Sequence, residues 1–232
     1  MDFLDKIFGR LFGKKSEESA FFECTFLLLG KLTSADGRVS DDEVLVVERF
    51  MESHLNLSPD QRDKARALFV KGQKGSGLTQ QYIRALWESV SRRELLVDTL
   101  LDVLLQVAVA DGEYSPEEME LIEAIALAMG VDKSHLKRLS SVYIDDEGNI
   151  GREGGFAGRS NYDLLGCAVD ASDEELLRSY QKLAEYYDPE RAVVDGFPME
   201  FLNLVRQRHE EIEQAYAILS ADRSASIHSV EL

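Results

Sequence analysis

Apolar residues recur at helical spacing along almost the whole chain. Two stretches, Phe22–Thr33 and Leu95–Val109, are apolar on nearly every side and predict helices buried all round. Glu43–Met51 and Met119–Met129 mix apolar and charged positions three and four apart, which predicts amphipathic helices packed on the first two. Ser58-Pro59-Asp60-Gln61 opens another helix that runs to about Lys71. Beyond the glycine-rich stretch Gly72–Gly77, Leu78–Val90 predicts a further helix, and a short one starts near Asp132.

The pattern resumes at Asn161. Tyr162-Asp163-Leu164-Leu165-Gly166 predicts a short helix closed by glycine, and Ala171-Ser172-Asp173-Glu174-Glu175-Leu176 opens the next. Leu176, Leu177, Tyr180, Leu183, Ala184 and Tyr187 form its apolar stripe as far as Pro189. A loop carrying Gly196 and Pro198 is predicted there. It leads to a long helix from about Met199 to Leu219, with Phe201, Leu202, Val205, Ile212, Ala215, Tyr216 and Leu219 inward. The fold class is all-α.

One sequence occurs twice. Ala35-Asp36-Gly37-Arg38-Val39-Ser40-Asp41-Asp42-Glu43 returns as Ala110-Asp111-Gly112-Glu113-Tyr114-Ser115-Pro116-Glu117-Glu118. Each copy follows a buried helix and precedes an amphipathic one. Glycine closes the first helix in a left-handed turn, and the serine with the glutamate three residues on makes a capping box for the second. Two similar helical hairpins, packed together, are the expectation.

These signals divide the chain into an N-terminal segment 1–15, a helical bundle 19–142, a linker 143–160, a second helical part 161–221 and a tail 222–232. The linker carries five glycines between Asp145 and Ser160 and little apolar content. In the first segment Phe3, Leu4, Ile7, Phe8, Leu11 and Phe12 form one stripe, with Lys6, Arg10, Lys14 and Lys15 on or beyond the other face. That pattern suits a helix lying in a membrane interface, and equally one docked on the protein itself or on a second copy.

Charge narrows the partners. A net charge of −17 speaks against nucleic acid, whose phosphates need a basic surface. Cys24 and Cys167 match no metal or redox spacing and are expected as small core residues in a reducing compartment. No apolar run reaches the ~20 residues that a membrane span needs, and no signal-peptide pattern is present, so a cytoplasmic location is expected, peripheral at the inner face of the membrane if residues 1–15 bind lipid. No nucleophile, phosphate-loop or metal-hydrolase spacing is found, which argues against an enzyme and against a cofactor.

The duplicated A-D-G-x-[VY]-S-x-x-E within some 120 helical residues resembles the TerB-like domain, found in tellurite-resistance proteins and in DjlA-type co-chaperones. Its acids, Asp36, Asp41, Glu43, Asp111, Glu113 and Glu118 among them, offer hard oxygen ligands for a metal. The spacing is not that of a calcium-binding helix–loop–helix, and acids in a first helical turn also serve as caps, which is the stronger reading.

From Asn161 the sequence resembles a DnaJ-type J-domain. Tyr162–Gly166, Arg178-Ser179-Tyr180-Gln181-Lys182-Leu183 and Glu211-Ile212-Glu213-Gln214-Ala215-Tyr216 fall in that family's order and at its distances. Gly196-Phe197-Pro198-Met199-Glu200 is similar to the extended loop of the DjlA subgroup. The resemblance implies an antiparallel pair of long helices and a partner, a DnaK-type chaperone, whose ATP hydrolysis the family stimulates through His-Pro-Asp.

This chain has Asp188-Pro189-Glu190 instead. An anionic acceptor replaces a ring that can donate, and Glu190 moves its charge one methylene outward. Arg178, Lys182 and Arg191 remain as basic contacts, yet residues 161–232 hold six Lys or Arg against fifteen Asp or Glu. The expectation is a DjlA-like co-chaperone relative or partner-binding adaptor, whose docking on a DnaK-type chaperone is weak or lost. An unidentified protein client and self-association are the other partners the sequence allows. The second reading is an acidic metal- or ligand-sensing stress module with the J-like part as scaffold.

Overall fold

The computed structural model describes residues 17–37, 39–75, 83, 86, 87, 90, 93–110, 112–141, 143, 144 and 160–230, and its elements are helices, as the periodicity predicts. The N-terminal stripe and the linker 145–159 lie outside the described residues. Of the helix expected over 78–90, Ile83, Leu86, Trp87 and Val90 are described, and all are helical.

The first part is built on α1 (Glu17–Leu32) and α4 (Glu94–Ala108). From Ala20 to Leu32 every position but Lys31 is buried, and α4 is buried from Leu96 to Ala108 except at Asp102 and Gln106. Such helices need partners on all sides. These are α2 (Asp41–Arg49) with a π-turn at Phe50–His54, then α3 (Pro59–Lys74), α5 (Pro116–Ala128) and α6 (Lys133–Ser140). Where α1 crosses α3 the backbones touch. A Cβ on Gly30 would stand 2.0 Å from the Phe69 carbonyl oxygen, and one on Gly72 2.2 Å from that of Leu27.

Both A-D-G corners are turns through a left-handed glycine, Gly37 at φ +82° and Gly112 at φ +85°. Arg38 and Asp111 lie outside the described residues. The expected capping boxes are formed: Ser40 with Glu43 opens α2, and Ser115 with Glu118 opens α5, where Pro116 takes the first helical position. Ser115→Ala removes the acceptor for the Glu118 N–H at 3.1 Å. It is expected to cost about 1 kcal/mol in chemical denaturation.

The second part comprises α7 (Asn161–Leu165), α8 (Asp173–Tyr186), α9 (Pro189–Val194) and α10 (Leu202–Val230). Two features differ from expectation. Residues 189–194 form a helix where a loop was predicted, and the last helix continues past Leu219 to Val230. Leu165, Leu176, Ile212, Ala215 and Leu219 make a small core, flanked by Tyr180 and Tyr216 stacked at 4.3 Å. Ala192, Phe197, Phe201, Leu202 and Val205 belong instead to the large core of the first part. Phe201 meets Phe21 edge-on at 4.8 Å and Phe22 at 6.3 Å. The base of the α8–α10 pair is therefore plugged into the bundle. Cys24 is buried and Cys167 half-buried, both as free thiols, and burial pushes the Cys24 thiol up.

Candidate functional site

Asp188-Pro189-Glu190 is the start of a helix. Asp188 is extended (φ −66°, ψ 116°), and its carboxylate accepts the backbone N–H groups of Glu190 at 2.8 Å and Arg191 at 3.4 Å. Pro189 follows at the first helical position, where its missing N–H costs nothing. Glu190 is exposed in the first turn. The aspartate is thus occupied locally as the N-cap of α9.

The basic residues separate into two places. Arg178 is exposed and paired with Glu174 on its own helix. Arg191 pairs with Glu185 at 3.2 Å and lies 3.9 Å from Asp195. Lys182 and Arg191 line one cleft between the two parts of the molecule, together with Glu94, Asp98, His135, Arg138, Leu139 and Tyr186. Asp188, Pro189 and Glu190 are not among its lining residues.

The cleft closes on Asp98, an acid on the buried helix α4. Its carboxylate accepts the Tyr186 hydroxyl at 2.8 Å and lies 3.0 Å from His135 Nε2. Burial raises its pKa, against the pull of Tyr186 and His135. Burial and the Asp98 carboxylate push the Tyr186 hydroxyl far up, so it stays a donor. One turn on, Asp102 accepts the Tyr143 hydroxyl at 2.6 Å and lies 3.3 Å from the Arg208 guanidinium. Burial opposes the Arg208 charge, but Asp102 and Glu211 outweigh it and hold its pKa above the usual value. Arg93 Nη1 donates to the Gly196 carbonyl at 2.7 Å, and Asn203 donates to that of His54 at 2.7 Å.

Neither Asp98 nor Asp102 stood out in the sequence as a docking residue. Asp98 and Asp102 do break an otherwise apolar run at a spacing of four, which places both on one face of α4. A charge kept on a buried helix face was the available signal.

The candidate metal ligands are distributed unevenly. Asp36, Glu43, Glu113 and Glu118 line one cleft with Ser40 and Ser115, whereas Asp41 is not among its lining residues. Asp111 lies outside the described residues. Among the described residues no three His, Cys, Asp or Glu side chains are grouped so as to hold a metal.

The two capping glutamates meet instead. Burial, and then the hydrogen bond and charge of Glu118, push Glu43 up to about 7 despite the lowering effect of Ser40. Folded protein therefore holds this proton more tightly than unfolded chain. Stability is lost as pH rises from about 4.5 through 7 and stays lost above it. Glu43→Gln keeps an acceptor for the capping box and removes that loss. It is expected to stabilise by about 1–2 kcal/mol at pH 8 and by nothing at pH 4, measured by urea denaturation.

Comparison with known proteins covers both parts. The family described as Tellurite resistance protein TerB matches residues 23–141, about half of the chain. The Co-chaperone protein DjlA of Shewanella oneidensis is 25% identical over 221 residues, covering 93% of this chain and 83% of that protein. Those of Vibrio vulnificus and Yersinia pestis are 23% and 24% identical, over 93% and 90% of this chain and 83% and 82% of theirs. No solved structure matches the chain. Among the described residues no helix is long and apolar enough to cross a membrane. With half its length matched by that family and more than nine-tenths of it aligned to co-chaperones, the chain belongs to the TerB family, in the DjlA-like group.

Proposed function

We propose that this chain is a DjlA-like adaptor that binds protein partners and does not drive ATP hydrolysis by a DnaK-type chaperone. The observation that carries the reading is the use of Asp188 as a helix cap, with its carboxylate on the Glu190 and Arg191 N–H groups. A side chain so engaged is an anion and an acceptor. It offers no proton to a partner's acceptor, and reversing a donor to an anion at an interface costs several kcal/mol, on the order of 2–5.

Two further features support it. Lys182 lines a cleft facing the protein's own bundle, and the outward Arg178 is paired with Glu174. Of the basic contacts that the J-domain resemblance assigns to a chaperone, Arg178 and Arg191 are thus paired with this chain's own carboxylates. The relatives' name, co-chaperone, supports a chaperone-associated setting. Binding without turnover is the adaptor's role in it. No catalytic role is assigned to any residue, and the client remains the task of the bundle.

The test restores the lost chemistry. Asp188→His with Glu190→Asp is expected to raise the single-turnover ATPase rate of a DnaK-type chaperone above the level given by the unmodified chain. Equal rates, with both proteins folded by circular dichroism, would refute the role assigned to Asp188.

A further inference from the structure

We propose that the outer face of α5 and α6 is a two-fold interface through which two copies of this chain associate. The inference goes beyond the adaptor reading and does not depend on it.

The face is apolar where a surface helix is ordinarily polar. Leu127, in the last turn of α5, is 76% exposed, and Ala124 one turn before it is exposed as well. Between α5 and α6 runs a groove of about 570 Å³, walled by Met119, Val131 and Leu136, with Leu127 also in its lining. The chain's single tryptophan stands close by. Trp87 is 40% exposed, and its ring comes within 3.9 Å of where a Cβ on Gly130 would stand. Gly130 in turn donates its N–H to the Leu127 carbonyl at 3.1 Å. One exposed leucine is unremarkable, but a leucine, a groove and a tryptophan at the same helix end have the make-up of an interface.

Charge selects the occupant. With 43 acidic against 26 basic residues and a net charge of −17, most of the surface repels a second copy. This groove does not. Glu120 and Glu123 edge it on α5, Lys133 and Lys137 edge it on α6, and the remaining acid, Asp132, caps α6 by accepting the His135 N–H at 2.8 Å. A basic partner would meet the lysines and an acidic one the glutamates. Acids on one helix and bases on the other suit a two-fold contact, in which whatever residue i meets at j, j meets at i. Two α5 helices crossing antiparallel at Leu127 carry Glu120 and Glu123 of each copy toward the turn and α6 of the other, where Lys133 stands. The two Leu127 side chains then meet at the axis, beside the grooves.

His135, Arg138 and Leu139, which line the cleft toward the J-like part, lie on the opposite side of α6 from Lys133 and Lys137. Association through this face therefore leaves that cleft open, and a dimer carries two J-like parts.

Sedimentation velocity on the full chain should show a monomer–dimer equilibrium at about 1 to 100 μM, the range of small interfaces. Leu127→Glu sets two like charges on the axis and is expected to weaken association at least about tenfold. Because Leu127 is exposed, the thermal midpoint of the monomer should not move. Glu123→Lys and Lys133→Glu should each weaken association, whereas both changes in one chain restore opposite charges and should recover it. Emission from Trp87 should shift in step with the dimer population. A chain that stays monomeric throughout, a dimer that survives Leu127→Glu, or a double variant that fails to recover would each overturn the proposal. Deletion of residues 1–15 should leave the dimer intact, and its loss there would assign the contact to that segment instead and overturn the proposal too.

Discussion

Gly30→Ala is expected to destabilise the protein by more than about 3 kcal/mol, although alanine is the better helix former by about 1 kcal/mol. Gly30 lies within α1, where an added methyl would ordinarily help. Here its Cβ would stand 2.0 Å from the Phe69 carbonyl oxygen, 2.8 Å from the carbonyl carbon and 3.0 Å from the Gln73 nitrogen. All three are backbone atoms of α3, which cannot rotate aside as a side chain would. The helices must separate, and the contact is reciprocal, because Gly72 meets the Leu27 carbonyl in the same way. Separation opens voids beside Leu27 and Phe69, which are 2% and 6% exposed. Urea denaturation followed by circular dichroism checks this, and a loss below 1 kcal/mol would mean that the crossing is looser than described.

Phe201→Ala is expected to cost about 3–5 kcal/mol. The ring is 1% exposed and packs edge-on against Phe21 and Phe22, so its removal leaves a cavity that two aromatic neighbours cannot fill. The position also reports on architecture. Phe201 lies just before α10, yet its contacts are with α1, so its loss should lower the thermal midpoint of the whole protein in one transition. A variant whose J-like helices melt separately while the bundle keeps its stability would show that the plug carries no load.

Much of this fold is legible in the sequence because its signals are local. Ser-x-x-Glu before an apolar run marks a helix start at Ser40, Ser115 and Ser172, and all three boxes are formed. The left-handed glycines of the A-D-G corners follow from the same logic. The helix at Pro189–Val194 was equally available, since Asp-Pro-Glu is a cap, a first-turn proline and a first-turn acid. The loop signals beyond it, Gly196 and Pro198, punctuate the chain only after that short helix has ended. The last helix ran past its expected end because Ser220–Val230 contains no glycine or proline to stop it and no apolar stripe to announce it.

Tertiary partnerships were not legible. Nothing in the periodicity of α10 tells that Phe201, Leu202 and Val205 enter one core while Ile212, Ala215 and Leu219 enter another. The same holds for Asp98 and Asp102. Their spacing puts them on one face of α4, but only the fold brings Tyr186 and Arg208 to that face. Of the candidate site, the sequence supplied the tripeptide and its basic neighbours. The cleft that receives Lys182 and Arg191 is a product of docking.

The most direct test of the account is the steady-state ATPase rate of a DnaK-type chaperone titrated with the full, unmodified chain. A carboxylate tied to two backbone N–H groups should leave that rate flat across the titration. A dose-dependent rise comparable to that given by a J-protein bearing His-Pro-Asp would contradict it.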